Sequence, residues 1–593
     1  MIINQTIAGL LKRLWCHISP RRRRQFGLLL ALMLLASFAE VLSIGAVLPF
    51  LAVLTAPERI FEMPAVQPII QTLDLTEPRQ LILPITFTFG AAAIVAGAIR
   101  LILLWSTTRL SYATGADLSI SIYQRTLYQP YSVHCARNSS EVINGISSKT
   151  SNAIYIVVSI LNLISSAVML IAILIALLTV EPLIAFAAFG GFGLIYAIII
   201  RLTRSRSLIN SQIVARESTQ VIKALQEGLG GIRDVLIDGS QSAYCQIYSN
   251  ADLPLRRAQG DSQFINLSPR YGMEALGMML IAALAYFLIN QEDGLGKAVP
   301  IMGALALGAQ RLLPVLQQIY FSLSSISSGQ VALQDTLELL DQPLPDYVDK
   351  PAAQSLPFKQ SVTLKQLSFR YSSKTPYVLK QFNLTIAKGS CVGFIGATGS
   401  GKSTLLDIIM GLLEPTVGLL EVDNQAITLT NQRAWQAHIA HVPQSIFLAD
   451  TCIEENIAFG VPKDKIDRQR VRQAAQQAQI AESIESWPEQ YQTVVGERGI
   501  RLSGGQRQRI GIARALYKQA DVIIFDEATS ALDSETEQAV MQAVECLSED
   551  LTILIIAHRL TTLKNCTQIV ELGEGGIKRV GSYQDIISQK TIK

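Results

Sequence analysis

Six apolar segments in the first 325 residues constrain the fold of this chain more than any other feature. A helix of roughly 20 apolar residues crosses the hydrocarbon core of a bilayer. Only helices and closed barrels satisfy all their backbone polar groups in lipid, so these segments predict an all-helical membrane domain. Their approximate bounds are 26–52, 81–106, 154–180, 182–202, 266–289 and 297–322.

The composition divides the chain into two parts. Hydrophobic residues make up 49% and charged residues 16% of the 593 residues, and the apolar excess lies before about residue 325. The remainder resembles an ordinary soluble α/β sequence. A net charge of +3 without a basic and aromatic cluster gives no indication of nucleic-acid binding. The seven cysteines lack C-x-x-C spacing, which favours reduced thiols.

The N-terminal segment 1–25 is predicted to contain an interfacial helix, because apolar residues recur at helical spacing in 4–18. The four arginines at 21–24 hold this end in the cytoplasm by the positive-inside rule. Segments 109–150 and 203–262 are then cytoplasmic, as is the C-terminus. Both segments contain too few apolar residues for a core of their own, so we expect polar extensions of the membrane helices.

These patterns predict a membrane domain at 26–341, a proline-rich linker at 342–357 and a soluble domain at 358–593. On the outer side, the connection 55–80 contains VQPIIQTLDL, which predicts a short helix.

A phosphate-binding loop follows a buried strand at the start of the soluble domain. The sequence GATGSGKS fits the pattern G-x4-G-K-S between a strand and a helix. Glycines let backbone N–H groups surround phosphates, Lys402 reaches the β- and γ-phosphates, and the Ser403 hydroxyl can bind Mg²⁺. The predicted ATP-binding residues of this loop are Gly396, Ala397, Thr398, Gly399, Ser400, Gly401, Lys402, Ser403 and Thr404.

A second buried strand, DVIIFDE, ends in two carboxylates. Asp526 is predicted to hold Mg²⁺, directly or through water, and Glu527 to polarise the water that attacks the γ-phosphate. Such a strand end is a weak signal alone, but it is strong some 125 residues after a phosphate-binding loop.

Between these motifs lies RLSGGQRQR, and here the domain resembles the nucleotide-binding domain of ABC transporters. The signature comprises Leu502, Ser503, Gly504, Gly505 and Gln506. The resemblance implies that Tyr371 stacks on adenine, that Gln444 acts in catalysis and on Mg²⁺, that Asp533 belongs to the D-loop and that His558 is the switch histidine. VVGERG at 494–499 matches the exporter-type X-loop. For His558 alone, a core histidine would be the simpler interpretation.

The same resemblance implies a dimer, because one chain carries one membrane half and one nucleotide domain. In the family, the signature loop faces the ATP bound by the partner subunit. No motif is degenerate, so a homodimer is the simplest prediction and a heterodimer is the alternative. Segments near 132–141 and 237–246 are predicted coupling helices.

The membrane half resembles ABC exporters with six helices and a C-terminal nucleotide domain. It is most similar to flippases and exporters of lipid-linked oligosaccharides, through SFAEVLSIGAVLPF at 37–50, SPRYGMEALG at 268–277 and QRLLP at 310–314. The expected fold is a six-helix exporter domain joined to an α/β P-loop domain, in a bacterial cytoplasmic membrane.

Charged residues within the apolar segments are the candidate substrate site. At 1.5 Å per residue, the predicted topology places Arg100 and Arg311 ~28 and ~20 Å from the outer end of their helices, and Arg270 ~9 Å from the inner end. Glu40 and Glu274 are the anionic counterparts. We predict a cationic belt for a phosphate or pyrophosphate head group. Structural ion pairs are the alternative.

Three functions are consistent with these patterns. The first is a flippase or exporter of a lipid-linked glycan, a glycolipid or a related anionic amphiphile. The second is a peptide or multidrug exporter, although the arginines disfavour cationic drugs. The third is an ABC-type ATPase of another class: six membrane segments exclude a soluble one, and a channel regulator would show ATP-gated conductance.

Overall fold

The structure of the protein is a computed structural model. It describes residues 6–46, 50, 53–54, 57–63, 66–72, 75–180, 182–289, 312–345, 347–348, 356–527, 534–545, 550–557 and 559–590. The chain forms two compact units. The first contains residues 1–129 and 137–345, and the second contains 130–136 and 346–593.

The first unit is helical throughout its described residues. Short helices α1 (Ile7–His17), α3 (Pro57–Phe61), α4 (Gln67–Thr72), α6 (Tyr131–Ala136), α7 (Ser139–Asn144) and α10 (Ile232–Ile237) lie between or beside the long ones, with α6 grouped in the second unit. The long helices are α2 (Pro20–Gly45), α5 (Ile82–Leu127), α8 (Thr150–Val180), α9 (Pro182–Gly230) and α11 (Gln241–Ile289). Residues 312–328 form the described part of α12, followed by α13 (Gln330–Leu340).

The long helices extend beyond the apolar segments. Helix α5 has 46 residues and α9 and α11 have 49 each, so each is about 70 Å long against a hydrocarbon core of ~30 Å. Most of 109–150 and 203–262 is therefore helix, which agrees with the predicted extensions. Helix α4 likewise confirms the short helix predicted in the outer connection.

The first long helix begins earlier than the sequence analysis predicted. Helix α2 starts at Pro20 and contains the four arginines, which the sequence analysis assigned to the separate segment 1–25. Proline is favoured at the first helical position because a backbone N–H there would have no partner within the helix, so nothing is lost by its absence. The structure describes this helix as far as Gly45, and much of the predicted segment beyond it lies outside the described residues. Arg22 in its first turn donates from Nε to Asp117 Oδ2 of α5 at 2.8 Å.

Three helical stretches of the described residues are long and apolar enough to cross a membrane: Pro20–Ser43, Pro78–Leu127 and Ser139–Ile175. The predicted segments 182–202 and 266–289 lie in α9 and α11. Most of the predicted segment 297–322 lies outside the described residues. The protein is an integral membrane protein.

The second unit is an α/β domain with two sheets. The strands are β1 (Ser361–Phe369), β2 (Leu379–Ala387), β3 (Cys391–Gly396), β4 (Val417–Val422), β5 (Gln425–Ala426), β6 (Ile439–Val442), β7 (Val522–Asp526), β8 (Thr552–Ile556), β9 (Gln568–Gly573) and β10 (Gly576–Gly581). An antiparallel sheet has the order β2-β1-β4-β5, and the larger sheet has the order β10-β9-β3-β8-β7-β6.

In the larger sheet, β9, β3, β8, β7 and β6 are parallel, and β10 is antiparallel at the edge. Its central strands are buried on both faces, as in VIIFD of β7. The helices of this unit are α14 (Lys402–Ile409), α15 (Gln432–Gln436), α16 (Ile453–Ile457), α17 (Arg468–Gln477), α18 (Ala481–Glu485), α19 (Gly504–Lys518), α20 (Ser534–Glu545) and α21 (Tyr583–Lys590).

Candidate functional site

The carboxyl ends of the parallel strands bring the predicted nucleotide residues to one edge of the larger sheet. The phosphate-binding loop follows β3, Gln444 lies two residues after β6, and Asp526 ends β7. Strand β8, which lies between β3 and β7, ends two residues before His558. Ligands of open α/β sheets bind in a crevice at this edge.

Glycines shape the phosphate-binding loop. Gly401 precedes the first residue of α14 and has φ +94°, a left-handed conformation that glycine adopts without strain. A Cβ at Gly396 would lie 2.6 Å from the carbonyl oxygen of Leu572 in the neighbouring strand. Glycine is thus required at position 401 by the turn and at position 396 by the close approach of β9.

Lys402 begins the helix that follows this loop, and Tyr371 contacts the same helix. The Lys402 side chain is buried, and its Nζ donates to the carbonyl oxygens of Gly396 and Ala397 at 2.9 and 3.0 Å. The hydroxyls of Tyr371 and Thr404 are 3.0 Å apart, while the Tyr371 ring is exposed. Lys402 is therefore held over the loop, and Tyr371 leaves an aromatic surface free for stacking.

Asp526 and Glu527 follow β7 directly. Glu527 has φ +51°, a conformation that costs a residue with a side chain about 1–3 kcal/mol and is commonest at functional sites. Its N–H donates to the carbonyl oxygen of Ile556, and Gln444 Nε2 donates to its Oε2 at 2.6 Å. Gln444 and Glu527 are 83 residues apart in sequence, and the sheet brings them into contact.

Two carboxyl groups near this edge have raised pKa values. Burial raises the pKa of Asp526, and the Glu527 charge raises it further against the opposing effect of Lys402. Burial and the Asp526 charge raise the pKa of Asp407, on α14, to about 6. Asp407 was not among the site residues predicted from the sequence. The available signal was a single acidic residue among the apolar residues of LLDII, five positions after Lys402.

The donors at this edge fit Mg²⁺. The Ser403 hydroxyl, the Gln444 amide and the Asp526 carboxylate offer oxygen ligands, which Mg²⁺ prefers. Burial and the repulsion between Asp526 and Glu527 raise the Asp526 pKa, so a divalent cation would stabilise the ionised carboxylates.

The signature residues form the start of α19. Ser503 caps the helix: its Oγ accepts from Gln506 N at 3.2 Å, and Gln506 Oε1 accepts from Ser503 N at 2.9 Å. Leu502 is buried, whereas Gly504 and Gly505 are partly exposed. This 15-residue helix presents unpaired N–H groups and the positive end of its dipole. It is a suitable surface for an anion such as the γ-phosphate.

Four of the charged residues predicted to line the substrate site form two pairs. The Arg100 guanidinium contacts the Glu40 carboxylate, whose side chain is only 3% exposed, across α5 and α2. Arg270 Nε donates to Glu274 Oε1 at 2.9 Å within α11, and the Arg270 side chain is 59% exposed. The predicted residues His558, Asp533 and Arg311 lie outside the described residues.

The fold and the nucleotide site define an ABC exporter half-transporter, in which a helical membrane domain and an ABC nucleotide-binding domain share one chain. The family model for the ABC transporter matches residues 379–530. A bacterial Atm1-family ABC exporter, solved with ATP bound, has the same fold: its TM-score is 0.78 at 24% identity, with 96% of both chains covered.

Curated relatives extend the match into the membrane domain. An ATP-dependent lipid A-core flippase of Haemophilus influenzae is 30% identical over 67% of each chain. A flippase of the same name from Cupriavidus metallidurans is 28% identical over 84% of each chain. A Bacillus subtilis protein named for multidrug export is 27% identical over 82% of this chain and 83% of its own length. The chain belongs to the ABC transporter family, and its ATPase drives transport.

Proposed function

We propose that this protein moves a lipid-linked oligosaccharide, a glycolipid or a related anionic amphiphile across the bacterial cytoplasmic membrane. The observation that carries the proposal is the exposed guanidinium of Arg270 in a membrane helix. A charge there is costly in lipid, so it faces protein or a wet cavity. Arginine binds phosphate through parallel hydrogen bonds, and Glu274 orients this guanidinium from one side.

Arg100 has a different role in this proposal. Its contact with the buried Glu40 makes it one half of an ion pair between two helices. Within the described part of the membrane unit, Arg270 is therefore the residue that we propose binds the anionic head group. Arg311 remains a predicted second cation.

ATP and Mg²⁺ are the proposed ligands of the nucleotide site. Ser403, Gln444 and Asp526 would hold Mg²⁺, which would neutralise phosphate charge. Lys402 and the loop N–H groups bind the phosphates, and Glu527 accepts a proton from the attacking water. Since half-transporter exporters function as dimers, we propose a homodimer in which α19 of one subunit completes the ATP site of its partner. A heterodimer is the alternative.

A peptide or multidrug exporter is the second candidate, supported by the Bacillus subtilis relative. Reconstitution in liposomes tests both, with flipping and ATPase stimulation measured for lipid-linked sugars, phospholipids, peptides and drugs. We expect the anionic glycolipids to be flipped. Stimulation by drugs or peptides alone would favour the second candidate.

Arg270→Gln tests the role of the guanidinium in the same liposomes. We expect a roughly tenfold higher half-maximal concentration for the anionic lipid, because one charge-assisted contact is lost. Arg257→Gln is the matched control, since Arg257 is exposed on the same helix outside the apolar segment. Equal responses of the two variants would contradict the proposed site.

A further inference from the structure

Two cysteines of the nucleotide domain are in contact although they are 175 residues apart in sequence. The Sγ atoms of Cys391 and Cys566 are 3.1 Å apart, and either thiol can donate to the other. A disulfide has an S–S length of about 2.05 Å, so the two sulfurs need to approach by about 1 Å to form one. The C-x-x-C spacing considered in the sequence analysis cannot reveal a pair so far apart.

The larger sheet holds these two cysteines together. Cys391 is the first residue of β3, and Cys566 lies two residues before β9, the parallel neighbour of β3. Thr567 donates from both its backbone N and its Oγ1 to the carbonyl oxygen of Cys391, at 2.9 and 2.8 Å. The contact between the sulfurs therefore follows from the pairing of the two strands.

The two thiols differ in their access to solvent. Cys391 is partly exposed, whereas Cys566 is 7% exposed and belongs to the apolar core of the domain. An oxidant dissolved in water therefore reaches the sulfur of Cys391 first, with the sulfur of Cys566 already in contact behind it. Redox-sensing cysteines are accessible and often lie next to a second, resolving cysteine in this way.

We propose that Cys391 and Cys566 are a reversible oxidation site, in which hydrogen peroxide converts the two thiols into a disulfide. The thiolate of Cys391 attacks one peroxide oxygen and breaks the O–O bond, which gives a sulfenic acid on Cys391 and one water. The sulfur of Cys566 then attacks the Cys391 sulfur and breaks its S–O bond, and the thiol proton leaves with the hydroxide as a second water. The two thiols lose two electrons and two protons, and the peroxide is reduced to two waters.

This disulfide protects the nucleotide domain and leaves ATP hydrolysis intact. The cysteines lie at the amino ends of their strands, and the phosphate-binding loop begins at the carboxyl end of β3, about 17 Å away at 3.3 Å per residue. The bond prevents the irreversible oxidation of Cys391 to a sulfinic acid. It also links positions 175 residues apart, which constrains the unfolded chain. Since cytosolic thiols are kept reduced, we expect the bond to form transiently, under oxidative conditions.

The test exposes the full-length protein in lipid nanodiscs to hydrogen peroxide, alkylates the remaining thiols and maps the peptides by mass spectrometry without reduction. We expect a cross-linked pair of peptides that contains Cys391 and Cys566 and that dithiothreitol separates. The unfolding temperature of the nucleotide domain should rise by roughly 5–10 °C on oxidation and return on reduction. ATPase activity should persist, and its loss together with formation of the bond would overturn the protective role.

Cys566→Ser removes the resolving thiol, so we expect peroxide to carry Cys391 to a sulfinic acid that dithiothreitol does not reverse. Cys391→Ser should leave the buried Cys566 unoxidised. Cys452→Ser is the matched control: Cys452 is 8% exposed, and burial raises the pKa of its thiol, so the cross-link should form as in the wild type.

Wild-type protein in which Cys391 reaches a sulfinic acid as readily as in Cys566→Ser overturns the proposal, as does a Cys391 that peroxide leaves unchanged. A cross-link of either cysteine to a different partner also overturns it. If Cys566→Ser does not fold, the peptide maps of the wild type and of Cys391→Ser decide the question.

Discussion

At the scale of single residues, Glu527 combines a strained backbone with a direct contact to Gln444. Its φ of +51° persists because its N–H is bonded to Ile556 at the end of β8. This bond and the contact with Gln444 hold the carboxylate at the edge where the phosphate-binding loop lies. The strain therefore serves to position an acidic group, as is common at active sites.

We expect Glu527→Gln to retain ATP binding and to lower the hydrolysis rate by roughly 10²–10⁴-fold, because an amide cannot accept the proton of the attacking water. Nucleotide binding and phosphate release measure the two effects separately. Glu574→Gln is the control, since Glu574 is exposed and has φ +49°. Turnover of Glu527→Gln at the wild-type rate would remove Glu527 from this role.

Asp407 makes the stability of the nucleotide domain depend on pH. Its pKa of about 6 lies above its unfolded value near 3.8. The folded state therefore binds this proton more tightly, and the resulting stabilisation is complete below pH 3.8 and is lost as the pH rises through 6. Asp407→Asn keeps a neutral side chain at every pH.

We expect Asp407→Asn to stabilise the domain at pH 7.5 by on the order of 1–2 kcal/mol, after allowance for solvent screening of a half-buried group. The gain should shrink as the pH falls below 6. Thermal unfolding without Mg²⁺ or nucleotide measures it. Asp585→Asn is the control of opposite sign, because hydrogen bonds from Ser582 lower the pKa of Asp585. A gain that does not change with pH would contradict this explanation.

At the scale of helices, the Arg100–Glu40 pair joins α5 to α2 within the apolar layer. The carboxylate is buried, so removing the arginine takes a cationic contact from a charge that has little access to water. The Arg270–Glu274 pair lies within one helix and is exposed, so its loss should matter little for stability.

We expect Arg100→Gln to destabilise the membrane domain by about 3–5 kcal/mol, and the double variant Arg100→Gln/Glu40→Gln to recover much of this loss. Thermal unfolding in lipid nanodiscs gives the double-mutant cycle. Glu274→Gln removes one member of the exposed pair and is the control, for which we expect little change in stability. Additive effects of the two substitutions would show that the pair is not coupled.

At the scale of the whole molecule, two features bear on the proposed dimer and on the coupling between the domains. The signature helix α19 begins with the capped turn that would face an anion, and residues 130–136 belong to the same compact unit as the nucleotide domain. The second feature concerns α6, which overlaps the segment 132–141 predicted from the sequence as a coupling helix. The segment 237–246 spans the end of α10 and the start of α11, and its coupling role stays a prediction.

A mixing experiment tests the proposed homodimer. Lys402→Ala disables the phosphate-binding loop and Ser503→Arg blocks the signature, so each variant alone should have little ATPase activity. Mixed dimers contain one composite site with an intact loop from one subunit and an intact signature from the other. We expect co-expression of tagged variants to restore part of the ATPase activity. Full inactivity of purified mixed dimers would contradict shared sites.

The sequence by itself determined the features that depend on local patterns. Apolar segments defined the membrane half, because lipid requires apolar helices of a certain length. Glycine spacing defined the phosphate-binding loop, because backbone approach to phosphate requires those residues, and LSGGQ identified the nucleotide domain by its resemblance to ABC transporters. The mostly helical character of 203–262 also followed from composition. The apolar run placed the start of the first membrane segment at about residue 26, whereas α2 begins at Pro20 and contains the arginines.

Only the tertiary structure decided which distant side chains meet. The contact between Gln444 and Glu527 depends on the strand order, and the raised pKa of Asp407 depends on its burial near Asp526. The pairing of Glu40 with Arg100 depends on how α2 packs against α5. Local patterns specify elements, whereas electrostatics and burial arise between elements that packing brings together.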